Sequence, residues 1–314
     1  MKIVFMGTPE FSVRILENLH LEYGVSLVVT QPDKLVGRKR ILTFTAVKEK
    51  AVELGIEVFQ PRKIKEDYQK ILDIQPDLII TAAYGQIIPK EVLDYPRLGA
   101  LNVHGSLLPL LRGGAPIQRA IKRLHNTTGV TIMYMAMKMD SGDIISQRSI
   151  PIMPYDNNGT MFEKLSILGD ELLLDTLPSI IDGTNERRAQ DKNNVTYAYN
   201  LKREEEKINW ELSKEEIDAH IRAFTPTPSC FTTINDKQMK VLKVEMCDCS
   251  NFENMKDLPN GYIFKLLDEA IGVKVVNGAI KIYEVQLSGK KRQDVKTFMQ
   301  GAGRNLIKIG EVFK

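Results

Sequence analysis

Two short segments carry the polar residues best placed to do chemistry. In Gly99-Ala-Leu-Asn-Val-His-Gly-Ser-Leu-Leu-Pro109 an apolar strand pattern is interrupted by Asn102 and His104. Side chains alternate faces along a strand, so Asn102 and His104 share one face while Leu101 and Val103 take the other. An amide beside an imidazole offers hydrogen-bond donors and an exchangeable proton. Gly105 and Ser106 are where this strand should leave its sheet, and in open α/β sheets ligands bind at the carboxyl ends of strands. The position suits an active site, and the same pattern also suits a core histidine hydrogen-bonded beside a turn asparagine. The loop that follows, Ser106 to Pro116, holds four leucines and an Arg-Gly-Gly turn; it lines a pocket or is buried against the sheet. The second segment, Met139-Asp140-Ser-Gly-Asp143, sets carboxylates on a turn where Gly142 permits positive φ. By itself that is good turn chemistry for any hairpin.

The elements that must position these residues follow from the hydrophobic pattern. Apolar runs at Lys2–Met6, Val25–Val29, Val58–Gln60 and Leu78–Thr81 alternate with amphipathic stretches at Pro9–His20, Ala46–Leu54 and Ile64–Ile74. Such βαβ alternation predicts a Rossmann-like, mainly parallel sheet covered by helices, an α/β fold. Thr8 is expected as a helix N-cap with Pro9 as the first helical residue. Gly7 stands alone and Pro9 replaces the second glycine of G-x-G-x-x-G, which argues against a nicotinamide cofactor. Further strands are expected at Ala100–His104, Val130–Met135 and Ile144–Ile150, then a helix over Met161–Ile181 ending at Gly183. These make a first domain of residues 1–183 and a polar linker at 184–202. The second domain, 203–314, opens with a helix over Glu204–Phe224 stopped by Pro226 and Pro228. Its short strand-like runs, Cys230–Ile234, Met239–Met246, Gly261–Leu267, Ile271–Val276 and Ala279–Gln286, suggest a smaller OB-like β-barrel.

A chain of 314 residues exceeds the size at which one core usually stops growing, which agrees with two domains. No signal peptide or membrane span is expected, so the protein is read as cytoplasmic. Three cysteines, with Cys247 and Cys249 in a Cys-x-Cys lacking a second pair, make neither a disulfide framework nor a zinc site. Four scattered histidines argue against another metal site. A net charge of +3 permits nucleic acid as a partner without demanding it.

Taken together the motifs resemble the methionyl-tRNA formyltransferases. The resemblance rests on Asn102-x-His104 with Ser106-Leu-Leu-Pro109, Arg112-Gly-Gly-Ala-Pro-Ile-Gln-Arg119, Gly129-Val-Thr-Ile-Met133 and Asp140-Ser-Gly-Asp143. It extends over nearly the whole chain through Met6-Gly-Thr-Pro-Glu-Phe11, Gln31-Pro-Asp33, Ala83-Tyr-Gly85 and Arg222-Ala-Phe-Thr-Pro-Thr-Pro228. It implies transfer of a formyl group from 10-formyltetrahydrofolate, a co-substrate, to the α-amine of methionine on initiator tRNA, by a monomer with no metal and no tightly bound cofactor. By matching positions, Asn102, His104 and Asp140 form the catalytic trio. Ser106, Leu107, Leu108 and Pro109 contact the folate, and the backbone of Gln86, Ile87 and Ile88 holds its pterin.

The chemistry fits that trio. Attack of the amine builds negative charge on the formyl oxygen, and each donor aimed at it is worth about 2.7–4 kcal/mol of barrier. Asn102 and a protonated His104 supply two donors, while Asp140 favours the charged ring and helps move the amine's proton. The basic stretch Lys34-Leu-Val-Gly-Arg-Lys-Arg-Ile-Leu42 is expected as a long loop reaching the tRNA acceptor end through Arg38, Lys39 and Arg40. Arg38 matches the family directly and the other two approximately, and the chain lacks the prolines the family carries near Phe44-Thr-Ala46. Lys290, Lys291 and Arg292 extend the tRNA surface on the second domain. Two rivals stand beside this reading. One is a folate-dependent formyltransferase acting on a small amine, such as a sugar nucleotide or purine precursor. The other is a non-catalytic nucleic-acid-binding homologue, which would have lost at least one member of the trio.

Overall fold

A computed structural model describes residues 1–37, 40–248 and 255–314. Arg38 and Lys39 of the basic stretch, and Cys249 of the Cys-x-Cys, lie outside the described residues. The chain divides into two compact units: 1–116 with 127–151 and 162–200, and 117–126 with 152–161 and 201–314. The segment expected as a linker thus belongs, up to residue 200, to the first unit.

The first unit is built on β1 (Ile3–Gly7), β2 (Leu27–Val29), β5 (Val58–Phe59), β6 (Leu78–Ala82), β7 (Ala100–His104), β8 (Thr127–Tyr134) and β9 (Ile144–Pro151), in sheet order β5-β2-β1-β6-β7-β8-β9. The first five strands run parallel, β8 runs against them, and β9 pairs antiparallel with β8. β1 and β6 are buried along their whole length, which is why they read as unbroken apolar runs rather than alternating ones. Helices α1 (Val13–Tyr23), α2 (Ala46–Glu53), α3 (Gln69–Asp73), α4 (Lys90–Leu93) and most of α6 (Asn158–Ile181) complete the unit, and a hairpin of β3 (Lys34–Val36) and β4 (Ile41–Thr43) stands apart from the sheet. One core cluster joins Val4, Met6, Leu27 and Val29 to Ile64, Ile71, Ile79 and Val92.

The second unit takes in most of α5 (Pro116–Lys122). It continues with α7 (Lys214–Phe224), an antiparallel sheet β10-β11-β14-β13-β12 with β15 on β14, and α8 (Val295–Gln300). These strands span Cys230–Ile234 (β10), Lys237–Cys247 (β11), Ile263–Leu266 (β12), Ile271–Val275 (β13), Gly278–Leu287 (β14) and Gln293–Asp294 (β15). The last residues lace its two edges together. Lys314 and Thr233 exchange backbone bonds of 2.8 and 2.9 Å on the β10 edge, while Ile263 N–H on β12 donates to Glu311 at 2.8 Å. That lacing is compatible with the expected barrel.

Four local expectations change, each for a visible reason. Thr8 does not cap α1, because its hydroxyl donates instead to the Tyr84 carbonyl (2.9 Å); a short 3-10 turn at Glu10–Ser12 intervenes and the α-helix starts at Val13. The helix expected over Ile64–Ile74 shrinks to α3, since the chain ahead of it closes a single turn in which the Glu66 and Asp67 N–H groups share the Lys63 carbonyl (3.0 and 3.1 Å). The basic loop is a β-hairpin. The helix expected from Glu204 begins only at Lys214, where Ser213 and Glu216 form a capping box. Ahead of it Ile208 N–H bonds the Phe231 carbonyl (2.8 Å), a bond that the interior of a helix would direct to its own chain, and Trp210 is buried against Phe313.

Candidate active site

Strands β1, β6 and β7 are neighbours and parallel, so their carboxyl ends meet along one edge. Asn102 and His104 occupy the end of β7, and register places Thr81 of β6 beside Asn102. Thr81 is buried, and its hydroxyl lies 2.8 Å from Asn102 Oδ1 and 3.0 Å from the Leu101 carbonyl. A hydroxyl donating to Oδ1 leaves the Asn102 NH2 pointing the other way, and there Nδ2 meets Asp140 Oδ1 at 3.4 Å.

His104 is buried, with Nε2 3.1 Å from the Leu111 carbonyl. A carbonyl only accepts, so Nε2 carries a proton in either charge state of the ring. Nδ1 is then the nitrogen available for chemistry, and it faces Asp140 Oδ2 at 3.7 Å. Asp140 is thus the meeting point of amide and imidazole. Its Oδ2 also accepts the Gly113 N–H at 2.7 Å, a fixed dipole that steadies the carboxylate. Asp140 and Leu111 both have left-handed backbones, with φ of 47° and 62°, a strain that persists only where neighbours over-determine it. Gly142 permits the Asp140 turn: a Cβ there would lie 1.9 Å from the Tyr134 carbonyl oxygen.

The loop after His104 is pinned to β8 and β9. Thr131 Oγ donates to the Ser106 carbonyl (2.6 Å) and accepts the Leu108 N–H (3.1 Å), and Gln147 Nε2 donates to the Leu108 carbonyl (2.9 Å). Ser106 is fully buried with its hydroxyl on the Leu110 carbonyl (2.7 Å), and Leu108 packs on Met133 and Ile144. Leu107 and Pro109 are the half-open members of the expected folate segment. After β6, the Gln86 side chain reaches away to Ile64, Ile88 is buried, and Ile87 is 66% exposed. The structure therefore brings Asn102, His104 and Asp140 together, and carries the 86–88 and 106–109 segments from the same edge of neighbouring strands. Arg40 is exposed at the tip of the β3–β4 hairpin. Lys290 and Lys291 are exposed in the turn after β14, while Arg292 there pairs with Glu284.

Sequence reasoning missed Thr81, Gln147 and Gln190. Thr81 left a signal, a polar residue in a run otherwise of Leu, Ile and Ala. The two glutamines left none. Among the described residues no group of His, Cys, Asp and Glu is arranged to hold a metal ion.

Comparison with known proteins agrees with this geometry. A formyl transferase family profile matches residues 1–177, and the formyl transferase C-terminal domain matches residues 200–303. The chain is 48% identical to the methionyl-tRNA formyltransferase of Lysinibacillus sphaericus, over 99% of both chains. It is also 48% identical to that of Listeria innocua, over 98% of this chain and 97% of the relative. HypX from Aquifex aeolicus, solved with tetrahydrofolic acid, has a TM-score of 0.65 at 16% identity; the match covers 99% of this chain but 50% of HypX, so this chain spans about half its length. WlaRD, a sugar 3N-formyl transferase solved with dTDP and 5-N-formyl-THF, has a TM-score of 0.66 at 19% identity, over 93% of this chain and 99% of its own. These two structures bear on the fold alone. With family matches over both parts and close relatives of its full length, the chain belongs to the formyl transferase family, among its methionyl-tRNA formyltransferases.

Proposed function

We propose that this enzyme transfers the formyl group of 10-formyltetrahydrofolate to the amino group of methionine esterified to initiator tRNA, as a step of translation initiation. The observation that carries the reading is the Asp140 carboxylate lying 3.4 Å from the Asn102 amide nitrogen and 3.7 Å from His104 Nδ1.

The amine nitrogen attacks the formyl carbon and negative charge gathers on the formyl oxygen. Asn102 Nδ2–H and protonated His104 Nδ1–H are the donors for that charge, each worth about 2.7–4 kcal/mol of barrier when aimed at it. Asp140 takes the proton the amine must lose. The new N–C bond forms as the bond from the formyl carbon to folate N10 breaks, and N10 takes up a proton, leaving the formylated amine and tetrahydrofolate. No redox step or metal enters this balance. Ser106 to Pro109 and the backbone of Gln86 to Ile88 are the proposed folate contacts, with the half-open Leu107 and Pro109 and the exposed Ile87 nearest to solvent. Arg38, Lys39, Arg40, Lys290, Lys291 and Arg292 are the proposed tRNA contacts. The same reading has the enzyme act as a monomer in the cytoplasm. No helix among the described residues is long and apolar enough to cross a membrane.

One second reading keeps the chemistry and changes the acceptor to a small amine, such as that of a sugar nucleotide. A single assay separates the two: purified protein with 10-formyltetrahydrofolate, charged initiator tRNA and an amino sugar nucleotide in competition. Formyl-methionine on tRNA is the expected product; turnover of the sugar alone rejects the proposal.

A further inference from the structure

Gln190 lies in the stretch whose composition suggests a linker, yet its side chain spans the site. Its Oε1 accepts from Arg112 Nε at 3.1 Å and Nη2 at 2.8 Å. Its Nε2 donates to the Asp140 carbonyl at 2.9 Å and the Gly142 carbonyl at 2.8 Å. A guanidinium only donates and a carbonyl only accepts, so the amide has one workable orientation, and each of its hydrogen-bonding positions is filled.

The partners are the turn that carries Asp140 and the loop whose backbone bonds both His104 and Asp140. The carbonyls of Asp140 and Gly142 belong to the turn that presents the carboxylate in its left-handed conformation. Arg112 sits between Leu111, whose carbonyl holds His104, and Gly113, whose N–H holds Asp140. Neighbouring backbone bonds extend the same join: Arg112 N–H to the Thr196 carbonyl at 2.9 Å and Ala198 N–H to the Arg112 carbonyl at 2.7 Å. We infer that Gln190 is a positioning residue for formyl transfer, fixing the Asp140 turn against the Leu111–Gly113 loop so that the carboxylate stays between amide and imidazole. It touches no reacting atom. The inference rests on the formyl-transfer reading and adds a residue to it.

Electrostatics supplies a discriminating variant. If Gln190 served only to anchor Arg112, a glutamate would do so better, through a charge-assisted pair. If it holds the Asp140 turn, Gln190→Glu fails, because a carboxylate oxygen would face two carbonyl oxygens where two N–H donors stood. The expected result is a folded Q190E protein with kcat lowered about 10²-fold, the scale of a small misplacement of catalytic groups, and KM unchanged for both 10-formyltetrahydrofolate and methionyl-tRNA. Wild-type kcat in Q190E, or a raised KM with kcat intact, would overturn it. Should Q190E not fold, Gln190→Ala, which removes both arms without adding charge, carries the same expectation and the same refutation. Wild-type enzyme assayed alongside separates the two claims. An inactive wild type rejects the formyl-transfer reading itself, whereas an active wild type with fully active Gln190 variants rejects the positioning role alone.

Discussion

At the scale of single residues, the proposed chemistry falls to groups with one bonding option left. His104 Nε2 is held by a carbonyl, and Asn102 Oδ1 lies within reach of the Thr81 hydroxyl, so Nδ1 and Nδ2 remain and both face Asp140. On the proposed mechanism His104→Ala would remove an oxyanion donor and Asp140→Ala the proton acceptor; each is expected to abolish turnover while circular dichroism and melting stay those of a folded protein. Wild-type turnover in either purified variant would defeat the assignment. Asn102 and His104 were legible because strand periodicity alone puts them on one face. Asp140 was legible only through the family motif, since a turn aspartate has many uses. Thr81 shows the limit: its polarity is visible in the strand, but its partner depends on a β6–β7 register that no local pattern encodes.

At the scale of elements, sequence pattern read the buried strands and missed the exposed ones. The hairpin of β3 and β4 has Leu35, Val36, Ile41 and Leu42 exposed, so it lacks the one-sided burial that makes a strand visible as alternation. Residues 184–200 failed differently. They are polar and short of regular structure, yet bridges pair Arg188 with Ile144 and Tyr197 with Arg112, binding them to the first unit through backbone groups that any side chain could accompany. The hairpin presents Arg40 at its turn, with φ of 48°. In the proposed tRNA contact a cation there would engage phosphate without reading bases, so its contribution would be affinity that weakens with salt. Charge reversal by Arg38→Glu with Arg40→Glu is expected to raise KM for methionyl-tRNA and flatten its salt dependence, leaving KM for 10-formyltetrahydrofolate unchanged. Unaltered tRNA kinetics would remove the hairpin from the tRNA surface.

At the scale of the molecule, length and composition announced two bodies, but not that residues 117–126 and 152–161 would count with the second; that grouping is made by contacts distant in sequence. The second unit has its own acid sensitivity and its own reporter. Burial pushes the His220 imidazole down from 6.5 to about 4. Hydrogen bonds from Arg119, at 2.5 and 2.9 Å, hold Glu205 down from 4.5 to about 2. In the unfolded chain His220 takes a proton below about pH 6.5, whereas the folded unit refuses it until about pH 4, so stability present above that window is lost as pH falls through it. Glu205 adds a second loss between about pH 4.5 and 2. Asp218, whose carboxyl burial raises above its ordinary value, binds its proton more readily when folded and offsets part of the fall. Trp210, the single tryptophan, is buried in this unit, stacked on Phe313 and bonded to Thr232 Oγ at 2.9 Å, so its fluorescence follows the unfolding of the second unit. The melting midpoint read from Trp210 should drop on acidification beginning near pH 6.5, and His220→Gln should reduce the slope down to about pH 4, leaving the share of His125, which burial also lowers, and the later drop. An unchanged slope in that variant would assign the acid sensitivity to other groups.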